Sequence, residues 1–390
     1  MQFLYHPDNV LTASDLETLA VGLLSEIPIP GVEGCVFDSG IIWETLLNAA
    51  VDQKSINAVT ESTRKTYSDD YTFDQLHTIS AKRLETVATT LFAQQAAMIL
   101  GPAPRIICLD FLDIHYHGSP LHDDGELCHT TPRDGTSRCH RYLAAFALCR
   151  AKPLILAVTA VRGDESRRDA VDRVIDRVAA LPFDVEAFLA DRGFYDGSSI
   201  ERLNERAPLV LPIIRRGQQM AEKLKTSISY WTEYTMYEGS ERELRFPLAV
   251  CVSYRQGKRG KHGLLVRAYA ACDQADRTPK QVEELYRKRS AIETAFRTMR
   301  EARARTTTPD PVVRLLFVLV SFLLRNLWLT VRWGVLAQPR RGGRALPVWF
   351  RFAVFLEWID HALDETLDRT WETPTNGIGI PESYRQLDAG

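Results

Sequence analysis

The stretch Arg105-Ile-Ile-Cys-Leu-Asp110-Phe-Leu-Asp113 marks the point where the chain changes from a helical to an extended pattern. It is a short apolar run that ends on acids, which is typical of a buried strand. Four more apolar strands are predicted at residues 142–148, 153–161, 185–191 and 208–214, with helices at 165–181 and 198–206. This order predicts a mixed α/β sheet with some parallel pairing. Asp110 and Asp191 are expected at strand ends, where such sheets tend to hold their sites.

A second stretch, Tyr286-Arg-Lys-Arg289-Ser-Ala-Ile-Glu293-Thr-Ala-Phe-Arg297-Thr-Met-Arg300, contains no Gly or Pro and predicts a helix. The spacing Y-x2-R-x3-E-x6-R places its charged residues on one helix face. That face can be a solvated lattice of ion pairs, each contributing about 0.3–0.5 kcal/mol. Alternatively, Glu293 holds a metal ion and the arginines hold a phosphate backbone beside it.

Asp110, Asp191 and Glu293 favour the second interpretation, because two strand ends and a helix can bring three carboxylates together. Hard cations such as Mg²⁺ prefer oxygen ligands and keep part of their water shell. Two such ions, about 3.5–4 Å apart, can activate an attacking oxygen and stabilise a leaving oxygen at a phosphodiester. The sequence contains no P-loop, nucleophile elbow or Rossmann glycine pattern, so NTP hydrolysis and hydride transfer have no support.

Together, Ala-Asp191-Arg-Gly-Phe-Tyr and the Y-x2-R-x3-E-x6-R helix resemble the catalytic region of DDE transposases of bacterial and archaeal insertion sequences. The resemblance is to the subgroup named for its Tyr-Arg-Glu-Lys signature. The strand carrying Leu-Asp110-Phe-Leu-Asp-Ile-His-Tyr-His-Gly118 and the segment Arg325-Asn-Leu-Trp328 are also similar to that group. The resemblance covers roughly residues 105–335.

The resemblance implies an RNase H-like fold with a β-rich insertion before the third acid. The helical N-terminal domain is predicted from the pattern of residues 1–100, which the resemblance does not cover. It implies Asp110, Asp191 and Glu293 as ligands of two Mg²⁺ or Mn²⁺ ions. Tyr286, Arg289 and Arg300 would contact the DNA ends, with Arg297 on the same basic face. Arg300 stands where the signature has Lys, which keeps the charge but widens the donor fork.

Other segments carry weaker expectations for DNA binding. The basic turn 255–263, with Lys258, Arg259 and Lys261, is either a charged hairpin tip that keeps a sheet edge soluble or a DNA-gripping loop. Trp231 is a candidate for stacking on a flipped base, against the more ordinary role of a strand tryptophan packed on the sheet. The segment 55–67 resembles a short helix of a helix-turn-helix, but a plain helical bundle is the better prediction.

Two further alternatives concern the first acid and the histidines. Asp113 competes with Asp110, but three positions along a strand place it on the opposite face, and we favour Asp110. A region rich in His and Cys could suggest a zinc site, although its spacings match no common zinc finger. Its members are His115, His117, His122, Cys128, His129, Cys139 and His140.

The charge is unevenly distributed, although the net charge of the 390 residues is only -2. Residues 1–53 hold eight acids and no Lys or Arg, and residues 357–390 hold eight acids and two Arg. The middle therefore holds 46 basic and 34 acidic residues, a net charge of +12. A basic middle between acidic ends indicates that the middle contacts a polyanion.

Five segments are predicted along the chain. Residues 1–100 form a helical N-terminal domain, with helices opening at Ser14, Ser39 and Thr72, the last running to about Leu100. Residues 101–216 and 279–336 form the two parts of the catalytic core, residues 217–278 the β-rich insertion, and residues 337–390 a C-terminal helix and tail. Within the insertion, strands are expected at 227–237, 243–254 and 264–270.

The expected compartment is the cytoplasm, in association with the nucleoid. Seven scattered cysteines without a C-x-x-C pair suit a reducing environment, and no secretory leader opens the sequence. The apolar run within 311–336 is broken by Arg325 and is too short for a membrane span, so we expect a buried helix behind the sheet.

The sequence thus predicts a transposase that binds the ends of its own element, cuts the strands and joins 3′-hydroxyl ends to target DNA. Double-stranded DNA would be the partner and a homodimer on DNA the working form. The alternatives are an RNase H-like metal-dependent nuclease that cuts without joining and a non-catalytic DNA-binding descendant of a transposase.

Overall fold

The computed structural model describes residues 11–149, 153–255, 263–341 and 343–369. Helices α1–α5 precede the sheet at Ala13–Ser25, Ser39–Val51, Ile56–Ser62, Asp69–Leu76 and Ala81–Ile99. Later helices α6–α12 span Arg167–Ala179, Gly197–Asn204, Gln218–Lys223, Pro279–Arg287, Ala291–Met299, Pro311–Thr330 and Phe352–Thr366. The strands β1–β9 span Arg105–His115, Cys128–Arg133, Thr136–Ala147, Leu154–Val161, Val185–Ala190, Leu209–Pro212, Tyr230–Met236, Leu244–Tyr254 and Leu264–Cys272. A small hairpin, β10 (Gln338–Arg340) and β11 (Gly343–Ala345), follows.

A single nine-stranded sheet forms the centre of the molecule, in the order β2-β3-β1-β5-β6-β9-β8-β7, with β4 also paired to β3. Strands β1, β5 and β6 are parallel, and the other pairs are antiparallel. The predicted mixed α/β sheet flanked by helices is confirmed, and the predicted strands lie within a few residues of the observed ones. The predicted β-rich segment continues this sheet, because β9 pairs with β6.

The N-terminal segment is helical as predicted, but its helix boundaries differ. Thr12, with Asp15, forms the capping box of α1 in place of Ser14, and Asp38 caps α2 in place of Ser39. The single long helix predicted from Thr72 to Leu100 is wrong: it is two helices, separated at 77–80. Ser80 explains the break, because its side chain accepts the backbone N–H of Arg83 and starts a new helix.

Helix α5 fixes the N-terminal segment onto the sheet through a buried carboxylate. Glu85 accepts hydrogen bonds from the Thr159 hydroxyl at 3.0 Å and the Ala160 backbone N–H at 2.8 Å, both on β4. It also pairs with Arg177 on α6. A buried carboxylate that is satisfied in this way holds two helices and an edge strand in one arrangement.

Helix α11 packs behind the sheet and is held on β4 by polar groups. Pro311–Val335 is long and apolar enough to cross a membrane, yet 94% of its most apolar window is buried inside the protein, which confirms the predicted core helix. The Asn326 side chain donates to the Ile155 carbonyl at 2.8 Å and accepts from the Ile155 N–H at 3.1 Å. Arg325 donates to the Pro153 carbonyl at 2.6 Å, and burial lowers its pKa to about 10. Asn326 therefore satisfies backbone groups of β4, and Arg325 satisfies the carbonyl of the residue that precedes the strand.

Candidate active site and an adjacent arginine pocket

Asp110 and Asp191 lie side by side on neighbouring parallel strands. The last parallel pair of β1 and β5 is Leu109 with Ala190, so each aspartate is the next residue on its strand. Asp191 follows the end of β5, but Asp110 lies within β1, which continues to His115 because β3 pairs with it from Ile107 to His115. The expected strand-end position therefore holds for Asp191 and is wrong for Asp110.

A buried arginine joins the two carboxylates. Nη2 of Arg289 lies 2.8 Å from Oδ2 of Asp110 and 3.6 Å from Oδ1 of Asp191. The Asp110 side chain is 15% exposed and that of Asp191 is 44% exposed. Burial raises the pKa of Asp110 to about 6, with Arg289 opposing the shift and Asp191 adding to it. We call Asp110 and Asp191 the acid pair, and Arg289 is the arginine that bridges it.

The helix that carries Arg289 is interrupted. Helix α9 ends at Arg287, a 3₁₀ turn covers Lys288–Ser290, and α10 runs from Ala291 to Met299 before a second 3₁₀ turn at Arg300–Ala302. The tighter 3₁₀ winding shifts the positions of residues around the axis. The prediction of one uninterrupted helix is therefore wrong, although the segment remains helical throughout. That its charged residues share one face stays a prediction. We call residues 279–302 the helical rod.

The predicted site residues on the rod occupy different surroundings. Arg289 is buried and Tyr286 is half-buried, whereas Glu293, Arg297 and Arg300 are exposed. Arg297 lines a cavity with Trp328 and Arg332, while Arg300 lines another on the β1 side. No cluster of three or more His, Cys, Asp or Glu side chains suited to a metal ion is found in the described ranges. That Asp110, Asp191 and Glu293 share one metal site stays a prediction.

The donor set next to Arg289 nevertheless fits a cation. Two carboxylates contact the same positive group, so together they supply oxygen ligands of the kind that a divalent ion prefers. Nε of Arg289 is buried without a hydrogen-bond partner, so the contact is made through the tip of the guanidinium. The two aspartates can bind a metal ion if this tip moves away, and Glu293 lies one helical turn further along the rod.

A cleft of about 510 Å³ opens beside Asp191. Its walls include Tyr286 and Tyr269, whose rings lie 5.1 Å apart, together with Arg215 and Arg267. Burial raises the pKa of Tyr286 to about 12 against the effect of Arg289, so its hydroxyl stays neutral. The cleft combines neutral hydroxyls, cationic groups and one aspartate, and its Arg267 is paired with Glu283. Hydroxyl and guanidinium donors are suited to a phosphate-bearing ligand.

Comparison with known families decides the family. Residues 101–327 match the family profile described as the transposase DDE domain, which is more than half of the chain. The chain belongs to the transposase DDE domain family. Among solved structures, it is similar to a piggyBac transposase synaptic complex with hairpin DNA, with a TM-score of 0.52 and 13% identity. The alignment covers 97% of this chain and 84% of the other, and at this identity it concerns the fold. No curated protein matches the sequence.

Within this DDE domain, Asp113 has a structural partner. Nε of Arg141 lies 2.7 Å from Oδ1 of Asp113, and the Thr130 hydroxyl donates to Oδ2 at 2.6 Å. The pKa of Asp113 is lowered, because hydrogen bonds from Arg141 and Thr130 outweigh the burial that would raise it. This ion pair links β1, β2 and β3, away from the bridge made by Arg289.

The other predicted DNA contacts are placed as follows. Trp231 is half-buried on β7, packs against the core and donates its indole N–H to the Arg277 carbonyl at 3.0 Å. Those contacts are the ones expected of a tryptophan packed on the sheet. Lys258, Arg259 and Lys261 lie outside the described residues. In the His- and Cys-rich region, the free cysteines Cys128 and Cys139 lie opposite each other on β2 and β3. Nε2 of His115 forms a hydrogen bond with the Thr131 carbonyl.

Sequence reasoning missed a second cationic cavity of about 280 Å³. We call it the arginine pocket, and it is lined by Arg300, Arg303, Arg305, Arg314 and Tyr142, together with Ile114 and other residues. The run Arg300-Glu-Ala-Arg303-Ala-Arg305 was the available signal. Neither Tyr142 nor Arg314 could be assigned to it from sequence, because β3 and α11 bring them there.

Proposed function

We propose that this DDE-domain protein is a transposase of the bacterial and archaeal insertion-sequence type, in the Tyr-Arg-Glu-Lys subgroup. It would bind the ends of its element, cleave DNA strands and transfer the 3′-hydroxyl ends to target DNA. The observation that carries the proposal is the pairing of Asp110 and Asp191 on parallel strands around one cation, within a transposase DDE domain.

Asp110 and Asp191, joined by Glu293, would hold two Mg²⁺ or Mn²⁺ ions. Bound there, the ions would polarise the phosphodiester and lower the pKa of the attacking water or 3′-hydroxyl. Arg289 then has to leave the aspartates, and its planar donor fork is suited to a phosphate of the DNA. The rod therefore carries both the third carboxylate and the arginine that a metal ion would displace.

The cleft beside Asp191 would accept the DNA end. Tyr286 and Arg267 line it, and Tyr286 is a neutral hydroxyl that can donate to a phosphate oxygen. The similar piggyBac structure is a synaptic complex with hairpin DNA, which favours double-stranded DNA as the partner and two paired ends in the working assembly. A homodimer on DNA meets that requirement, and the cytoplasmic nucleoid is where such substrates lie.

A second candidate is a non-catalytic DNA-binding descendant. It is favoured by the position of Arg289 between the aspartates and by the exposed position of Glu293. A nuclease that cuts without joining uses the same carboxylates, and only its products distinguish it.

The test is strand cleavage of a plasmid that carries the gene's native flanking DNA, with Mg²⁺ or Mn²⁺ compared with Ca²⁺. We expect cuts at discrete ends and joined products from the unmodified protein. Asp191→Asn should reduce cleavage by about a thousandfold, since it weakens metal binding where several kcal/mol of stabilisation arises. Cuts without joined products would indicate the nuclease. Tight DNA binding without cleavage under any metal would indicate the non-catalytic descendant.

A further inference from the structure

The arginine pocket lies on the same face of the sheet as the acid pair. Ile114 is four residues beyond Asp110 on β1, so both side chains point to the same face, about 13 Å apart along the strand. Tyr142 is paired with Leu112, which lies between them on that face. This distance between the pocket and the acid pair equals the rise of about four nucleotides along one strand of a DNA duplex.

The positive charge of the pocket is not balanced by an acidic side chain among its described lining residues. Four arginines line it, and of the described residues that surround it none is Asp or Glu. The guanidinium groups of Arg300, Arg303 and Arg305 make no hydrogen bond or ion pair to any group in the described part of the chain. Burial lowers the pKa of Arg303, and the charges of Arg300 and Arg314 add to this effect. Cations that are brought together without carboxylates are costly unless an anion completes the site.

One wall carries an unused hydrogen-bond donor. Tyr142 is 1% exposed, and its hydroxyl has no hydrogen-bond partner. A buried hydroxyl without a partner costs free energy, and such groups are rare in folded proteins. Burial also raises the pKa of Tyr142, so the hydroxyl keeps its proton and can donate it to a phosphate oxygen.

The pocket is held in shape by contacts that do not use up its charge. Nε of Arg314 donates to the Thr308 carbonyl at 2.6 Å, and its guanidinium carbon lies 4.2 Å from the centre of the Tyr116 ring. These contacts fix Arg314, and in the part of the chain that the structure describes no carboxylate pairs with it. At the mouth, Arg300 and Arg305 are exposed, so a ligand can enter from solvent.

We infer that the arginine pocket binds a backbone phosphate of the DNA, with Arg303 and the Tyr142 hydroxyl as its inner contacts. It anchors the strand at a distance of a few nucleotides from the acid pair, and it acts through the phosphate and without reading bases. The inference rests on the proposed function for the choice of DNA as the phosphate source. A free phosphate ion offers the same chemistry to the same groups.

The experiment measures binding of a duplex with the gene's native flanking DNA over a range of salt, with Ca²⁺ present. Arg303→Gln should weaken binding about tenfold, as expected when one charge-assisted contact is lost. It should also reduce the slope of log K against log salt by about 0.9, the value for one phosphate contact. Arg83→Gln, which removes an exposed arginine on α5, is the matched control for net charge and should keep the wild-type slope.

Tyr142→Phe separates binding from folding. The variant loses only a hydroxyl without a partner, so the melting temperature of the free protein should be unchanged or higher, while DNA binding falls about threefold to tenfold. A lower melting temperature with unchanged DNA binding would overturn the role of Tyr142. If Arg303→Gln does not fold, Tyr142→Phe decides the proposal.

A second measurement locates the contact on the DNA. Single neutral methylphosphonates are placed along the duplex, and one position should weaken binding of the wild type but not of Arg303→Gln. If no such position exists and the salt slope is unchanged in Arg303→Gln, the proposal is wrong.

A third measurement uses inorganic phosphate as the ligand and compares melting temperatures. If it raises the melting temperature of the wild type but not of Arg303→Gln, while the DNA slope stays the same, the pocket takes a free phosphate and the assignment to DNA is overturned. Plasmid cleavage is scored separately with the unmodified protein. Absence of cleavage counts against the proposed transposase, whereas the salt slope still decides what the pocket binds.

Discussion

Arg289 lies on the helical rod and Arg303 lies directly after its end, fourteen residues further along the chain, and the two arginines meet opposite surroundings. Arg289 is buried between two carboxylates, and its charge is balanced within the fold. Arg303 lies among three other arginines in a pocket without a carboxylate. The first arrangement is complete in the free protein, while the second needs an anion from outside. The comparison shows that a cation contributes to stability or to binding according to what faces it.

The largest effect on stability is expected at Arg289. Arg289→Met leaves Asp110 buried without its cation, which should lower the free energy of unfolding by about 2–3 kcal/mol, allowing for the exposure of Asp191. Mn²⁺ should restore more stability to the variant than to the wild type, because the metal ion no longer competes with the guanidinium. Thermal unfolding with and without Mn²⁺ measures both effects.

Arg287→Met, which removes an exposed arginine one turn earlier, is the control and should change little. Equal stabilisation of Arg289→Met and the wild type by Mn²⁺ would show that Arg289 does not occupy the metal position.

A second effect is expected from His140, which pairs with Ile114 beside the arginine pocket. Burial lowers its pKa to about 4, and the charge of Arg314 adds to this. Between pH 6.5 and about 4 the unfolded chain therefore binds a proton that the folded protein does not, and stability falls as the pH is lowered through this window. At pH 4.5 the loss should reach about 2.5 kcal/mol.

His140→Phe removes this titration and keeps a ring against Tyr116, which lies 5.0 Å away. Unfolding by denaturant at pH 7 and at pH 4.5 should show a smaller loss of stability for the variant than for the wild type. The same loss in both proteins would mean that His140 is protonated in the folded state.

The smallest effect has the opposite sign to that of Arg289. In the free protein, Arg303→Gln relieves repulsion among like charges and should raise the free energy of unfolding by about 0.5–1 kcal/mol at low salt. The gain should shrink as salt is added, because the charges near the mouth are screened. Destabilisation by Arg303→Gln at low salt would show that an internal group balances Arg303.

Much of the fold could be predicted from local pattern. Apolar runs identified β1, β5 and the buried helix α11, because burial on a sheet or in a core requires continuous hydrophobic side chains. Helix ends were less predictable. Ser80 and Thr12 compete with other polar residues nearby, and small differences in capping decide among them. The 3₁₀ turn at Lys288–Ser290 contains no Gly or Pro from which it could be predicted.

By itself, the sequence determined which residues could do the chemistry. Asp110 and Asp191 each follow a run of apolar residues, and Glu293 lies among arginines at helical spacing, and both patterns can be read from neighbouring residues. Only the tertiary structure decided which charges meet. The register of Leu109 with Ala190 places the two aspartates side by side, and the packing of the rod puts Arg289 between them. The arginine pocket is assembled from β1, β3, α11 and the end of the rod, and no local pattern records such long-range contacts.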